Sequence, residues 1–156
     1  MQRQPTSYQP ASSQSRCICV NLRRASRAIS QLYDEAMAAS GLKVTQFSLL
    51  RAIQRNEPVA ITALADDMEL DRTTLARNLA PLERERLLTR AAGRDQRVTE
   101  VRLTAAGRTA IARALPLWEA AQAMVRQHLG AQRLAQLREI SQAATATAKK
   151  LASRAD

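Results

Sequence analysis

The sequence predicts a mainly α-helical fold with one small β-hairpin, and three observations support that prediction. Hydrophobic residues make up 46% of the 156 residues but aromatic residues only 3%, which implies an aliphatic core. Apolar residues recur at helical spacing along most of the chain, which contains only four glycines. Residues 88–103 instead alternate with a period of two and predict two short strands. The length fits one small domain with appended helices.

The N-terminal part is predicted to contain an arm and two helices. Residues 1–15 are rich in Gln, Ser and Pro, which predicts a disordered arm. A helix is expected from about residue 16 to 39, ended by Ser40 and Gly41, and a second one from about 45 to 55. One apolar stripe of the first helix consists of Ile18, Leu22, Ala25, Ile29, Leu32 and Ala36.

Two short helices joined by a tight turn are predicted next. The first covers about 61–68 and is expected to bury Ala63, Leu64 and Met68. The second starts after Asp71, whose side chain is a favourable N-cap.

The rest of the chain is predicted to form a hairpin and two long helices. The strands cover 88–92 and 98–103, and the loop between them is basic. A helix at about 105–129 contains Pro116, and a final helix runs from about 132 to 152.

Helix, turn, helix and hairpin in this order predict a winged helix-turn-helix. The second short helix presents side chains that hydrogen-bond base edges or phosphates near its N-terminal end. These are Arg72, Thr73, Thr74, Arg77 and Asn78. Arg94 and Arg97 at the hairpin tip are placed to enter a neighbouring minor groove.

The charge also favours a nucleic-acid partner. The formal net charge is +10, with 24 basic and 14 acidic residues spread along the chain. All cations except three lysines are arginines, which suit bidentate contacts to phosphates and bases. No apolar run approaches the length of a membrane span and the N-terminus lacks an apolar signal segment, so we expect a cytoplasmic protein without a membrane partner.

The stretch LDRTTLARNLAPLER at residues 70–84, followed by Asp95-x-Arg97 and VRLTAAG at 101–107, resembles the MarR family of bacterial transcriptional regulators. The resemblance implies a two-fold dimer that binds a pseudo-palindromic operator in double-stranded DNA. It implies dimerisation helices at 16–42 and 105–156 around a DNA-binding region at 43–104. Glu69 and Arg86 stand where many members have glycine, at a cost of about 1 kcal/mol each if the backbone is left-handed there.

The periodicity predicts a homodimer independently of the resemblance. The terminal helices carry more apolar positions than one small winged helix covers. These positions are Ile18, Leu22, Ile29, Leu32, Leu134, Leu137, Ile140 and Leu151.

Cys17 and Cys19, the only cysteines, begin the first helix. They are either small apolar side chains without a reactive role or a thiol switch. Residues two apart in a helix point to opposite sides, which disfavours chelation of one metal ion, and we predict no metal site. The first helix is similar to that of the hydroperoxide sensors of the MarR family, which implies Cys19 as the reactive thiol and Tyr33 as a tyrosine that polarises it. Arg23 replaces a second such tyrosine.

Three functions therefore remain to be compared. The first is a repressor released from DNA by an effector, which is either oxidation of Cys19 or, as family resemblance implies, a small phenolic or aromatic carboxylate bound between the dimerisation helices and the DNA-binding lobe. The second is a small thiol-dependent enzyme, which the sequence disfavours because it shows no catalytic triad spacing, phosphate loop or cofactor motif. The third is a helical dimer that does not bind DNA.

Overall fold

The computed structural model of the chain describes residues 16–93 and 95–154. The predicted arm at 1–15 lies outside the described residues. The helices are α1 (Ile18–Ala36), α2 (Val44–Asn56), α3 (Ile61–Asp67), α4 (Arg72–Arg84), α5 (Ala105–Leu129) and α6 (Ala131–Ala152), with a short 3-10 segment at Ala38–Ser40. The strands are β1 (Val59–Ala60), β2 (Leu88–Ala92) and β3 (Thr99–Leu103). The mainly helical winged helix-turn-helix fold is confirmed.

The strands form one antiparallel sheet in the order β1-β3-β2. Leu88 pairs with Leu103 in the predicted hairpin, and Val59 of β1 pairs with Val101. Strand β1 was not predicted, because two residues are too few for alternation to be visible. They form a strand only because the edge of β3 offers hydrogen-bond partners.

The core lies between α2, α3, α4, the sheet and the first half of α5. Its largest fully buried side chains include Leu50, Ile53 and Leu64. The expectation for Ala63 was wrong: it is exposed and Ala65 is buried instead. The reason is that α3 has only seven residues, so its orientation is set by packing more than by its short apolar pattern.

Helices α3 and α4 both end in a left-handed residue that is not glycine. Glu69 has φ 54° and Arg86 has φ 57°. After α3, Leu70 N–H donates to the Ala65 carbonyl at 2.9 Å, and the same pattern of bonds ends α4. This is the Schellman arrangement, which favours glycine at the left-handed position. Each side chain therefore strains the backbone by about 1 kcal/mol.

The start of α5 is joined tightly to the end of α4. Thr104 Oγ1 donates to the Arg86 carbonyl at 2.7 Å and accepts from Gly107 N–H at 3.0 Å. A Cβ at Gly107 would lie 2.0 Å from the Leu87 carbonyl oxygen, so this approach requires glycine. The joint fixes the direction in which α5 leaves the lobe.

Glu57 connects the end of α2 to the sheet and to α5. Its Oε2 accepts from Leu103 N–H at 2.8 Å, and its Oε1 forms an ion pair with Arg108. Burial of the carboxylate raises the pKa of Glu57, but the Arg108 and Leu103 hydrogen bonds outweigh burial and hold the pKa below its ordinary value.

We expect Glu57→Gln to lower the free energy of unfolding by about 1 kcal/mol at pH 7, because it removes an ion pair that is partly shielded from water. The folded-state pKa lies below the unfolded value, so this stabilisation is present above the unfolded pKa and is lost as pH falls through the folded pKa. Urea unfolding at several pH values should show the difference between wild type and variant closing in acid. Glu119→Gln on exposed α5 surface is the control. A gap unchanged at acid pH contradicts the assignment.

The terminal helices leave apolar side chains uncovered in the single chain. Ile18 is 74% exposed, Ile140 61% and Leu151 61%, and no residue of α6 is buried. Leu32 and Leu134 are half-buried. None of the helices in the described ranges is both long and apolar enough to cross a bilayer.

Candidate nucleic-acid interface

Helix α4 is fixed on the core by one buried stripe and by a cap at its first turn. Leu75, Leu79 and Leu82 have no exposed surface. Asp71 accepts from Thr74 twice, from N–H at 2.9 Å and from Oγ1 at 2.6 Å. These bonds from Thr74 lower the pKa of Asp71. The Thr74 hydroxyl is therefore engaged in the cap, and the face opposite the leucines is free to meet a ligand.

The exposed face of α4 brings together Thr73 and Arg77. At about 100° per residue, both lie roughly opposite the buried leucines. Arg84, also exposed, continues this line two turns further on. Arg84 was not among the predicted DNA-contacting residues, although its spacing of seven residues from Arg77 indicates a position on the same helix face.

Arg72 and Asn78 lie on the two flanks of α4. Both are exposed. Asn78 and Arg77 both line a gap of about 260 Å³ between α4 and the start of α2, together with Lys43 and Gln46. The amide thus faces the α2 side of the helix, about 100° from Arg77.

The hairpin tip is organised by Asp95. Its Oδ1 accepts from Arg97 N–H at 3.0 Å and its carbonyl accepts from Val98 N–H at 2.9 Å. The Arg97 side chain is exposed. Arg94 lies outside the described residues. The tip therefore holds its backbone with a carboxylate and presents an arginine to solvent.

An ion pair ties the wing to α4. Arg90 Nε on β2 lies 3.0 Å from Glu83 Oε2, although the two are not aligned as a hydrogen bond. Because both residues are partly shielded from water, the pair restrains the wing relative to the exposed face of α4.

The cysteines and Tyr33 are not brought together within one chain. Cys17 and Cys19 are exposed at the start of α1, whereas Tyr33 is 6% exposed. Fourteen helical residues separate Cys19 from Tyr33, or about 21 Å along the axis. Burial raises the pKa of Tyr33, and the charge of Arg126 only partly offsets this, so the phenol is neutral.

A cavity of about 350 Å³ lies between α1, α2, the α3–α4 turn and α4. Its polar lining consists of Ser30, Thr45, Ser48 and Asn78, and its apolar lining includes Leu49. The residues that line this cavity are all uncharged, and Tyr33 is not among them.

Comparisons with known proteins agree with this architecture. The family model described as MarR family matches residues 40–97. The transcriptional regulator MosR of M. tuberculosis, in complex with DNA, is 39% identical with a TM-score of 0.75, covering 84% of this chain and 98% of that chain. No curated protein sequence matches at a significant level.

Two further solved structures share the fold. The transcriptional repressor CouR, bound to a 23-mer DNA duplex, is 26% identical with a TM-score of 0.75, covering 88% of this chain and 99% of that chain. PcaV from Streptomyces coelicolor, in complex with its natural ligand, is 21% identical with a TM-score of 0.73, covering 81% and 90%. Two findings identify the family: the 39% identity to MosR covers nearly all of that protein, and the family model matches across the helix-turn-helix. The chain belongs to the MarR family of transcriptional regulators.

Proposed function

We propose that this protein is a homodimeric, sequence-specific DNA-binding repressor of transcription. The observation that carries the proposal is one lobe with two exposed basic elements, the α4 face with Arg77 and the wing tip with Arg97. The net charge of +10 favours a polyanionic partner. MosR and CouR, which share the fold, are described in complexes with DNA, and this supports the same partner class here.

In the proposed complex, Arg77 and Thr73 contact base edges in the major groove. Arginine pairs with guanine in a bidentate way, and the threonine methyl or hydroxyl meets thymine or a phosphate. Arg97, together with Arg94 three residues earlier in the sequence, enters the minor groove. Arg72 and Asn78 would contact the edges of the same site from the flanks of α4. Thr74 contributes by holding the N-cap, because its hydroxyl already bonds Asp71.

The dimer is proposed to form between terminal helices. The uncovered apolar side chains of α1 and α6 need a partner of matching character, and a second copy supplies the same stripes by two-fold symmetry. Residues 16–42 and 105–156 then form the dimerisation region and residues 43–104 the DNA-binding region.

The direct test is a gel-shift titration with the promoter region of the protein's own gene. We expect saturable binding that outcompetes a scrambled duplex and weakens steeply with salt. Addition to a transcription assay on the same promoter should lower transcript yield. Equal affinity for both duplexes would contradict sequence-specific regulation.

The proposed effector is an organic hydroperoxide that oxidises Cys19, whose thiol is exposed at the start of α1. A thiolate attacks the peroxide oxygen of an organic hydroperoxide, which forms a sulfenic acid and releases the alcohol. In an antiparallel dimer, α1 of the partner could bring Tyr33 near that thiol. The oxidised group adds bulk and polarity beside the uncovered apolar stripe, which would change how the two subunits pack.

We expect an organic hydroperoxide to release wild-type protein from DNA, reversibly with a thiol reductant, while Cys19→Ser stays bound. Cys17→Ser is the matched control and should still be released, although recovery differs if Cys17 is the resolving thiol. Fluorescence anisotropy of a labelled operator measures the response. If wild type and Cys19→Ser respond alike, the thiol proposal fails.

A second candidate is control by a non-covalent ligand in the cavity beside α4. A ligand there would touch Ser30 of the dimerisation region and Asn78 of α4 at once. Because its lining offers hydroxyl and amide groups but no charge, the cavity favours a neutral ligand over an aromatic carboxylate.

A further inference from the structure

One ion pair holds the turn between α3 and α4 to the last turn of α6. Lys149 Nζ lies 2.7 Å from Glu69 Oε1, 80 residues away in the sequence. Across the described part of the chain, no other hydrogen bond or ion pair joins α6 to residues 44–103. We call this pair the Glu69–Lys149 clasp.

The clasp spans a gap rather than a packed surface. A groove of about 420 Å³ lies between Glu69 and the face of α6 that carries Gln142, Thr145 and Ala146. The side chains of α6 are exposed or at most half-buried, so burial does little to fix its angle to the lobe. The Glu69–Lys149 ion pair crosses this groove and is therefore placed to set the angle between α6 and the lobe.

The backbone at Glu69 gives a second reason to assign a role to this side chain. Its left-handed φ of 54° would be unstrained with glycine. Glycine, however, has no carboxylate to reach Lys149. Arg86 occupies the equivalent left-handed position after α4, and among the described ion pairs none involves it.

We propose that Glu69 and Lys149 are positioning residues for DNA binding, because they fix the helix-turn-helix at one angle to α6, the helix that meets the partner subunit in the proposed dimer. The inference rests on the proposed function. In a two-fold dimer, that angle sets the separation of the two α4 helices, which must match successive major grooves about 34–36 Å apart. Without the clasp the lobes sample more orientations, and a smaller fraction of dimers is competent to bind both half-sites.

Glu69→Gln tests the proposal against simple electrostatics. The variant keeps the backbone strain and the side-chain shape but loses the ion pair. Removal of a negative charge near α4 would by itself strengthen binding to polyanionic DNA. The clasp instead predicts operator affinity about fivefold weaker, the size of effect that an exposed pair supports. Equal or tighter binding overturns the proposal.

The lysine side of the pair has a matched control in the next residue. Lys149→Ala should weaken operator binding by about fivefold more than Lys150→Ala, which removes the same charge one position along the helix. The double variant Glu69→Lys with Lys149→Glu should recover most of the loss. If the two alanine variants bind alike, or the swap recovers nothing, the clasp has no positioning role.

A distance measurement separates this inference from the proposed function. Thr73→Cys, spin-labelled in a Cys17→Ser, Cys19→Ser background, reports the separation of the two α4 helices without DNA. Lys149→Ala should broaden that distribution and Lys150→Ala should not, and unchanged distributions overturn the clasp. Failure of wild type to bind any operator counts against the repressor proposal, whereas the distance data still decide the clasp.

Discussion

Deletion of residues 132–156 should abolish operator binding and leave a monomeric or aggregating protein. The deletion removes nearly all of α6, whose exposed Leu137, Ile140 and Leu151 are proposed to meet the partner subunit. It also uncovers the apolar surface of α1 that they would cover. Light scattering coupled to size-exclusion chromatography measures the mass, and a gel shift measures binding.

Point variants keep this prediction testable if the truncated chain does not fold. Ile140→Asp places a charge on the uncovered stripe and should shift the protein towards monomer. Ala135→Asp adds the same charge at an exposed α6 position about 140° around the helix from Ile140, and should leave the dimer intact. A well-folded truncated dimer with full operator affinity would contradict the assignment of α6 to the interface.

Arg77→Ala should reduce discrimination between operator and random DNA by about 1–3 kcal/mol, or about 5- to 150-fold, if the guanidinium makes a bidentate base contact. Its position opposite Leu75, Leu79 and Leu82 aims it away from the core, and its neighbour on that face is Thr73. Competition titrations with operators changed at single base pairs should show relaxed preference at one position in each half-site.

Arg97→Ala is the contrasting variant. Loss of a minor-groove arginine should weaken binding more evenly across sequences and flatten the dependence of affinity on salt. If Arg77→Ala changes affinity evenly and leaves sequence preference untouched, α4 does not read bases through this residue.

Local patterns predicted most of the helices and the hairpin. The stripe of Leu75, Leu79 and Leu82 and the Asp71 cap each depend on residues within a few positions, whereas the left-handed backbone at Glu69 was indicated by the family resemblance. A single sequence exposes such short-range rules. The helix-turn-helix was therefore predictable to within one or two residues.

Long-range contacts were not predictable in the same way. The partner of Glu69 lies on α6, the two-residue strand β1 exists only beside β3, and the orientation of Asn78 towards α2 depends on how two helices cross. Each is decided by tertiary packing, which leaves no spacing signal in one sequence. The pairing of the Cys19 thiol with Tyr33 remains a prediction, because only the α1 helix of a partner subunit would bring the two residues together.

The tight joint between Thr104, Arg86 and Gly107 couples a tilt of α5 to a movement of the DNA-binding lobe. The helix has 25 residues and is about 37 Å long. If it rotates as a rigid rod, a tilt of about 5° at the dimerisation end displaces the lobe by roughly 3 Å, close to the ~3.4 Å rise of one base pair. The joint at the lobe end leaves little room for independent movement, since a Cβ at Gly107 would lie 2.0 Å from the Leu87 carbonyl oxygen. In the proposed dimer, a tilt of this size at the terminal helices would therefore shift each α4 by about one base-pair step relative to the operator.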